Sequence, residues 1–149
     1  MNLKALINKK NIVCNINIDS KKRLVEFIAN RLSIYNSAVC EDDVIKGIYD
    51  RERIGNTYIG KKIYMPHCRV DSLQSTKIII CTLKKDFYDY RAKENINFVV
   101  AVFFPNKIVD VHYELLKELT SFLKKTLMQD MLKASFTSET LYQFIMENS

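Results

Sequence analysis

The chain has little of what interrupts regular structure: three glycines and two prolines in 149 residues. Disordered and linker-rich chains carry more of both. No Pro/Gly/Ser-rich stretch divides it, no segment repeats and no low-complexity tract occurs, so we read one domain over residues 1–149. Long apolar runs are also missing. The longest, around Ile78–Cys81 and Phe98–Pro105, have the length of strands and not of membrane spans. Lys9-Lys10 interrupts the N-terminal segment before a signal-peptide core can form. A cytoplasmic protein without membrane insertion is expected.

Metal and nucleotide chemistry lack their usual marks. The four cysteines, Cys14, Cys40, Cys68 and Cys81, contain no C-x-x-C pair, and the two histidines lie far apart. We expect reduced thiols, mostly in the core, with no metal and no cofactor. Gly55 and Gly60 are not followed by the Gly-Lys-Ser/Thr of a P-loop, which argues against nucleotide binding. The net charge is +6, and 17 of the 23 basic residues are lysine, but no run of lysines exceeds a doublet. A nucleic-acid footprint is normally clustered on one face, so nucleic acid is not an expected partner.

Hydrophobic patterning supplies the elements. Ile12, Cys14, Ile16 and Ile18 alternate as in a short strand. Ser20 caps a helix over about 21–35, with Leu24, Phe27, Ile28, Leu32 and Tyr35 on one face. Lys21, Lys22 and Arg23 fall in its first turn, where the helix dipole disfavours cations, and the sequence gives no reason for them. Glu41-Asp42-Asp43 opens a second helix, which Gly47 weakens and Gly55 stops. A strand over 62–65 leads into Pro66-His67. The apolar runs 77–82 and 97–104 read as strands covered on both faces, with a separate edge strand over 87–90. Asp110 caps a leucine-rich helix whose stripe runs from Leu115 to Leu127. A short helix over 128–134 and a last one over 138–147, capped by Thr137 or Ser138, complete the chain. The fold class is α/β: a mixed central β-sheet flanked by α-helices on both faces.

Two residues suit nucleophilic or acid–base work near neutral pH, His67 and His112. Pro66 fixes its own φ and keeps Met65 extended, so the chain presents His67 at a stiff corner. By position alone a surface histidine without a role is the stronger reading. His112 points toward the buried stripe of its helix, and by pattern alone a core or boundary histidine is the stronger reading. Its place near a helix N-terminus, where backbone N–H groups attract anions, also suits it to hold a phosphate oxygen. Arg51 and Arg53 end the second helix and read as solvent-exposed. Thr57 either stabilises its turn or bonds a phosphate or a histidine nitrogen.

The stretch from Arg51-Glu52 through Thr57-Tyr58-Ile59-Gly60 to Pro66-His67-Cys68-Arg69 resembles the signature of fructose/mannitol-type enzyme IIA domains of the bacterial phosphotransferase system. His112-Tyr113-Glu114-Leu115-Leu116 and the ending Ser138–Ile145 resemble the same family, so the likeness covers nearly the whole chain. Pro-His-Cys-Arg looks most like the nitrogen-regulatory branch. The resemblance implies a protein-histidine phosphotransferase. His67 accepts a phosphoryl group from a small phosphocarrier protein, His112 holds or orients its oxygens, Arg51 supplies positive charge and Thr57 helps to fix the site. It implies regulatory targets such as transporters or sensor kinases. A sugar-specific enzyme IIA serving a separate permease, and a non-catalytic binding module, are the alternatives. Lys61-Lys62 and Cys68 depart from the family pattern. The lysines would alter partner docking or hold phosphate near the site, and Cys68 is either oxidation-sensitive or, more simply, an inert thiol.

Overall fold

The computed structural model describes residues 3–105 and 110–149. In chain order these form α1 (Leu3–Leu6), β1 (Ile12–Ile16), α2 (Lys21–Ile34), α3 (Glu41–Glu52), β2 (Tyr58–Gly60), β3 (Ile63–Tyr64), β4 (His67–Arg69), β5 (Lys77–Asp89), β6 (Glu94–Phe104), α4 (Asp110–Lys124), α5 (Thr126–Lys133) and α6 (Ser138–Asn148). The strands make one mixed sheet ordered β1-β5-β6-β3-β2, with β4 also on β6. β5 and β6 are antiparallel, while β1 runs parallel to β5. β3 and β4 lie end to end along the same side of β6, parallel to it, with Ile63 opposite Phe98 and His67 opposite Val102.

The near-continuous apolar runs of β5 and β6 follow from burial on both faces. Ile79, Cys81, Val99, Ala101 and Phe103 pack with Leu24, Ile28, Val44 and Ile48 of α2 and α3. Their alternates Ile78, Ile80, Val100, Val102 and Phe104 pack with Leu115, Leu119, Leu141 and Ile145 of α4 and α6. The chain is thus a single α/β domain with helices on both faces of a mixed sheet, as its patterning predicts.

Several expectations change. Residues 87–89 are not a separate edge strand but the far end of β5, paired with β6 from Phe87–Ile96 to Asp89–Glu94. A register shift between Thr82 and Phe87, under the exposed Lys84-Lys85-Asp86, disguises the continuity. Leu127 leaves the stripe of α4, which ends at Lys124, and is 55% exposed on α5. Cys68 and Cys81 are buried, but Cys14 is half-buried and Cys40 exposed. Thr137, not Ser138, caps α6, in a reciprocal box with Thr140. α1 was not expected from its pattern.

Gly47 has a packing reason that helix propensity does not reveal. A Cβ there would lie 3.0 Å from Cys68 Sγ, so α3 presses directly on β4. Gly47→Ala gains about 1 kcal/mol of helix propensity but meets a buried, confined sulfur. We expect net destabilisation in the native background and stabilisation in Cys68→Ala, a reversal that denaturant unfolding of the four-member cycle measures. The same burial pushes the Cys68 thiol up to about 12, which favours the inert thiol over the oxidation-sensitive one.

Candidate functional site

β4 begins at His67 directly after Pro66, and its pleat sorts its side chains. Cys68 enters the core under α3, so His67 and Arg69 face the α4 side, where their partners Val102 and Phe104 also lie. On that side His112 of α4 is buried, its ring tilted against Phe104 with centroids 4.6 Å apart. Register therefore puts both histidines on one face of the sheet, beside β6 residues two positions apart. The buried reading of His112 and its place at the site are compatible.

His67 is half-buried, and its Nδ1 lies 2.9 Å from the carbonyl oxygen of Met65. A carbonyl only accepts, so Nδ1 carries the proton and donates it. In the neutral ring Nε2 then holds the lone pair. Burial lowers the His67 pKa, the Met65 carbonyl opposes this, Arg51 lowers it further and Glu52 raises it. The ring is therefore expected to stay neutral as pH falls through about 6.5, the ordinary histidine value. Because the unfolded chain takes up this proton first, the contribution to stability is full above that pH and declines as pH falls toward the folded midpoint. NMR titration of the ring protons checks the direction. A midpoint above the ordinary value would overturn it.

Arg51 and Thr57 stand around this corner. Arg51, in the last turn of α3, is close enough to act electrostatically on His67, and its Nη1 donates to the Gly55 carbonyl at 3.0 Å. Arg53, by contrast, is exposed and pairs with Asp50. Thr57 is buried, and its carbonyl accepts the Met65 N–H at 3.0 Å, tying the glycine turn to the residue that holds His67. The Thr57 hydroxyl is buried without a hydrogen-bond partner among the described residues.

Behind the site lies a polar cluster that sequence reading missed. Glu52 is 1% exposed. Its carboxylate takes an ion pair from Lys21 and a 2.8 Å hydrogen bond from the Tyr64 hydroxyl. Lys21 also reaches the buried Asp89 at 3.4 Å, and Arg91 donates to the Glu52 carbonyl. Burial and Glu52 push the Tyr64 phenol far up, so it remains a donor. This accounts for Lys21 in the first turn of α2: its charge serves a buried acid pair, not its own helix. The adjacency of Glu52 to Arg51 was the available signal. Lys61-Lys62 forms the β2–β3 turn, five residues before His67 and so roughly 16 Å along an extended chain, which removes the lysines from the His67 corner. Among the described residues no group of three His, Cys, Asp or Glu side chains is placed to hold a metal ion. None of their helices is long and apolar enough to cross a membrane.

Residues 5–148 match the family model described as phosphoenolpyruvate-dependent sugar phosphotransferase system, EIIA 2. The chain belongs to this family. Its members are phosphoryl-carrying components of that system, so this enzyme IIA domain is one as well. A nitrogen regulatory protein of Pseudomonas aeruginosa is 26% identical over 97% of this chain and 95% of its own length. The nitrogen regulatory protein IIA-Ntr of Neisseria meningitidis has the same fold, with a TM-score of 0.85, 20% identity and coverage of 95% of this chain and 97% of that one. The mannitol enzyme IIA of Escherichia coli, solved in complex with phosphorylated enzyme IIB, superposes with a TM-score of 0.72 at 16% identity, covering 92% of this chain and 94% of that one.

Proposed function

We propose that His67 Nε2 is the phosphoryl acceptor, that the donor is a small phosphocarrier protein bearing a phosphohistidine, and that the output is regulatory. The observation that carries the reading is the Nδ1–H bond to the Met65 carbonyl. It fixes the proton on Nδ1 and leaves Nε2, across the ring from the carbonyl, unprotonated. As the donor's P–N bond breaks and the bond to Nε2 forms, the imidazole becomes cationic, and the Met65 carbonyl stabilises that charge through a charge-assisted hydrogen bond. The three equatorial phosphoryl oxygens gain stabilisation from Arg51 and His112. The buried Thr57 hydroxyl, which has no hydrogen-bond partner among the described residues, is a further donor for one of them. No proton has to leave the ring, and no metal is required.

The regulatory reading is supported by the nitrogen regulatory relative that matches along nearly its whole length. Phosphorylation adds up to about two negative charges at the site, enough to recruit or repel a partner such as a transporter or sensor kinase. Incubation with phosphoenolpyruvate and a phosphocarrier relay is expected to give an acid-labile phosphohistidine that peptide mapping places at His67. Label elsewhere would sink the assignment. Loss of sugar uptake on deletion of the gene would instead favour service to a permease. His112→Ala is expected to slow acceptance about 100-fold for about 1–3 kcal/mol of stability. If that variant does not fold, His112→Gln, which keeps a buried donor, decides: normal folding with normal transfer removes the imidazole from the mechanism.

A further inference from the structure

Far from His67, a cleft of about 640 Å³ lies between the β2–β3 turn, the middle of β5, the bulge of β1 and the end of α5. Its size falls within the range of small-molecule sites. Four lysines line it, Lys61, Lys62, Lys84 and Lys133, against one acid, Asp86, which Lys62 pairs at 2.7 Å. Its walls therefore carry three positive charges in excess.

The backbone around the cleft is irregular in a concentrated way. Among the described residues four non-glycine positions have positive φ, and three of them line this cleft: Asn15 (60°), Lys61 (57°) and Lys62 (62°). The register shifts of the sheet gather here too, at Val13–Ile16 in β1, Tyr58–Gly60 in β2 and Thr82–Phe87 in β5. The Thr82 hydroxyl accepts the Asn15 N–H at 2.8 Å, which pins the β1 bulge in place. A two-residue hairpin turn with both φ values positive favours Asn-Gly, and lysine there costs on the order of 1 kcal/mol or more per residue. Bulges and left-handed residues kept against such a cost cluster at binding sites, where they re-aim side chains. Here they direct lysines at one cavity.

We propose that this cleft is a second binding site, separate from the phosphoryl-transfer site, for a small multiply charged anion bearing phosphate or carboxylate groups. The proposal is independent of the role of His67. Amide NMR titration of the whole chain with pyrophosphate, and separately with citrate at matched ionic strength, tests it. Saturable shifts at Asn15, Lys61, Lys62 and Thr82 are expected with at least one probe, and the probe that saturates identifies the anion as phosphate or carboxylate. Lys61→Ala/Lys84→Ala is expected to weaken binding about tenfold or more. Lys61→Asn/Lys62→Gly is expected to lose binding while its melting temperature rises. Absence of saturable shifts at these amides with both probes, or unchanged affinity in both variants, overturns the proposal.

Discussion

His67→Ala is expected to abolish phosphoryl acceptance while leaving the domain folded. The substitution removes the nitrogen proposed as the nucleophile, and no second acceptor is proposed beside it. His112 shares the face of His67 but is buried against Phe104, and the Cys68 thiol faces the other side of the sheet with its pKa pushed up to about 12. The loss should be complete and not partial, unlike that from removing a group that only stabilises charge. The stability cost should be small. The ring is half-buried at the start of an edge strand, and its bond to the Met65 carbonyl contributes about 1 kcal/mol at most. Pro66 and the backbone bond between Met65 and Thr57 hold the corner without it. Intact-protein mass spectrometry after incubation with the relay, paired with a thermal melt, reads both halves. A phosphoryl mass gain that survives in His67→Ala rejects His67 as the acceptor.

The placement of the two candidate histidines was legible because its determinants are local. Pro66 sets the corner for the histidine directly after it, and the leucine stripe beside His112 turns that ring inward; each signal is local to its own segment, and only the family resemblance joins the two. The two-faced burial of β5 and β6 was legible for the same reason, since a continuous apolar run of strand length puts apolar side chains on both sides of the sheet. What escaped depends on contacts between distant segments. Lys21 looks misplaced until α3 brings Glu52 against it, 31 positions away. Gly47 looks like a weak point in a helix until Cys68 is seen pressing on it. β5 looks like two strands because its register slips where its surface is polar. The lysine pair 61–62 looks close to His67 by nearness in sequence, but an extended chain carries it to the other end of the β3–β4 run.

The buried acid cluster behind Arg51 should dominate stability as His67 dominates chemistry. Glu52→Ala is expected to cost about 3–5 kcal/mol, the range for breaking a buried ion pair on one side. The Tyr64 hydroxyl, on a residue only 1% exposed, would lose its acceptor. The Lys21 ammonium, 18% exposed, would lose its nearest carboxylate and keep Asp89 at 3.4 Å and the face of the Tyr64 ring, 5.2 Å to its centroid. Glu52→Gln should cost less, because its amide oxygen still accepts from Tyr64 and Asp89 still answers Lys21. Lys21→Ala should cost as much as Glu52→Ala, since it takes from two buried carboxylates the ammonium that bridges them. The double substitution should cost clearly less than the sum, as members of one network do. Urea unfolding of the set measures this, and additive losses would mean that the cluster is not a unit. Function should follow the same order for a structural reason. Glu52 closes α3 one residue after Arg51, and its carbonyl is held by Arg91. A loosened helix end displaces the guanidinium from the position at which it acts on His67. Glu52→Ala should therefore slow phosphoryl transfer even in the fraction that remains folded, with Glu52→Gln close to normal. Equal transfer rates in the two variants would show that Arg51 is placed by its own bond to Gly55 and owes nothing to the cluster.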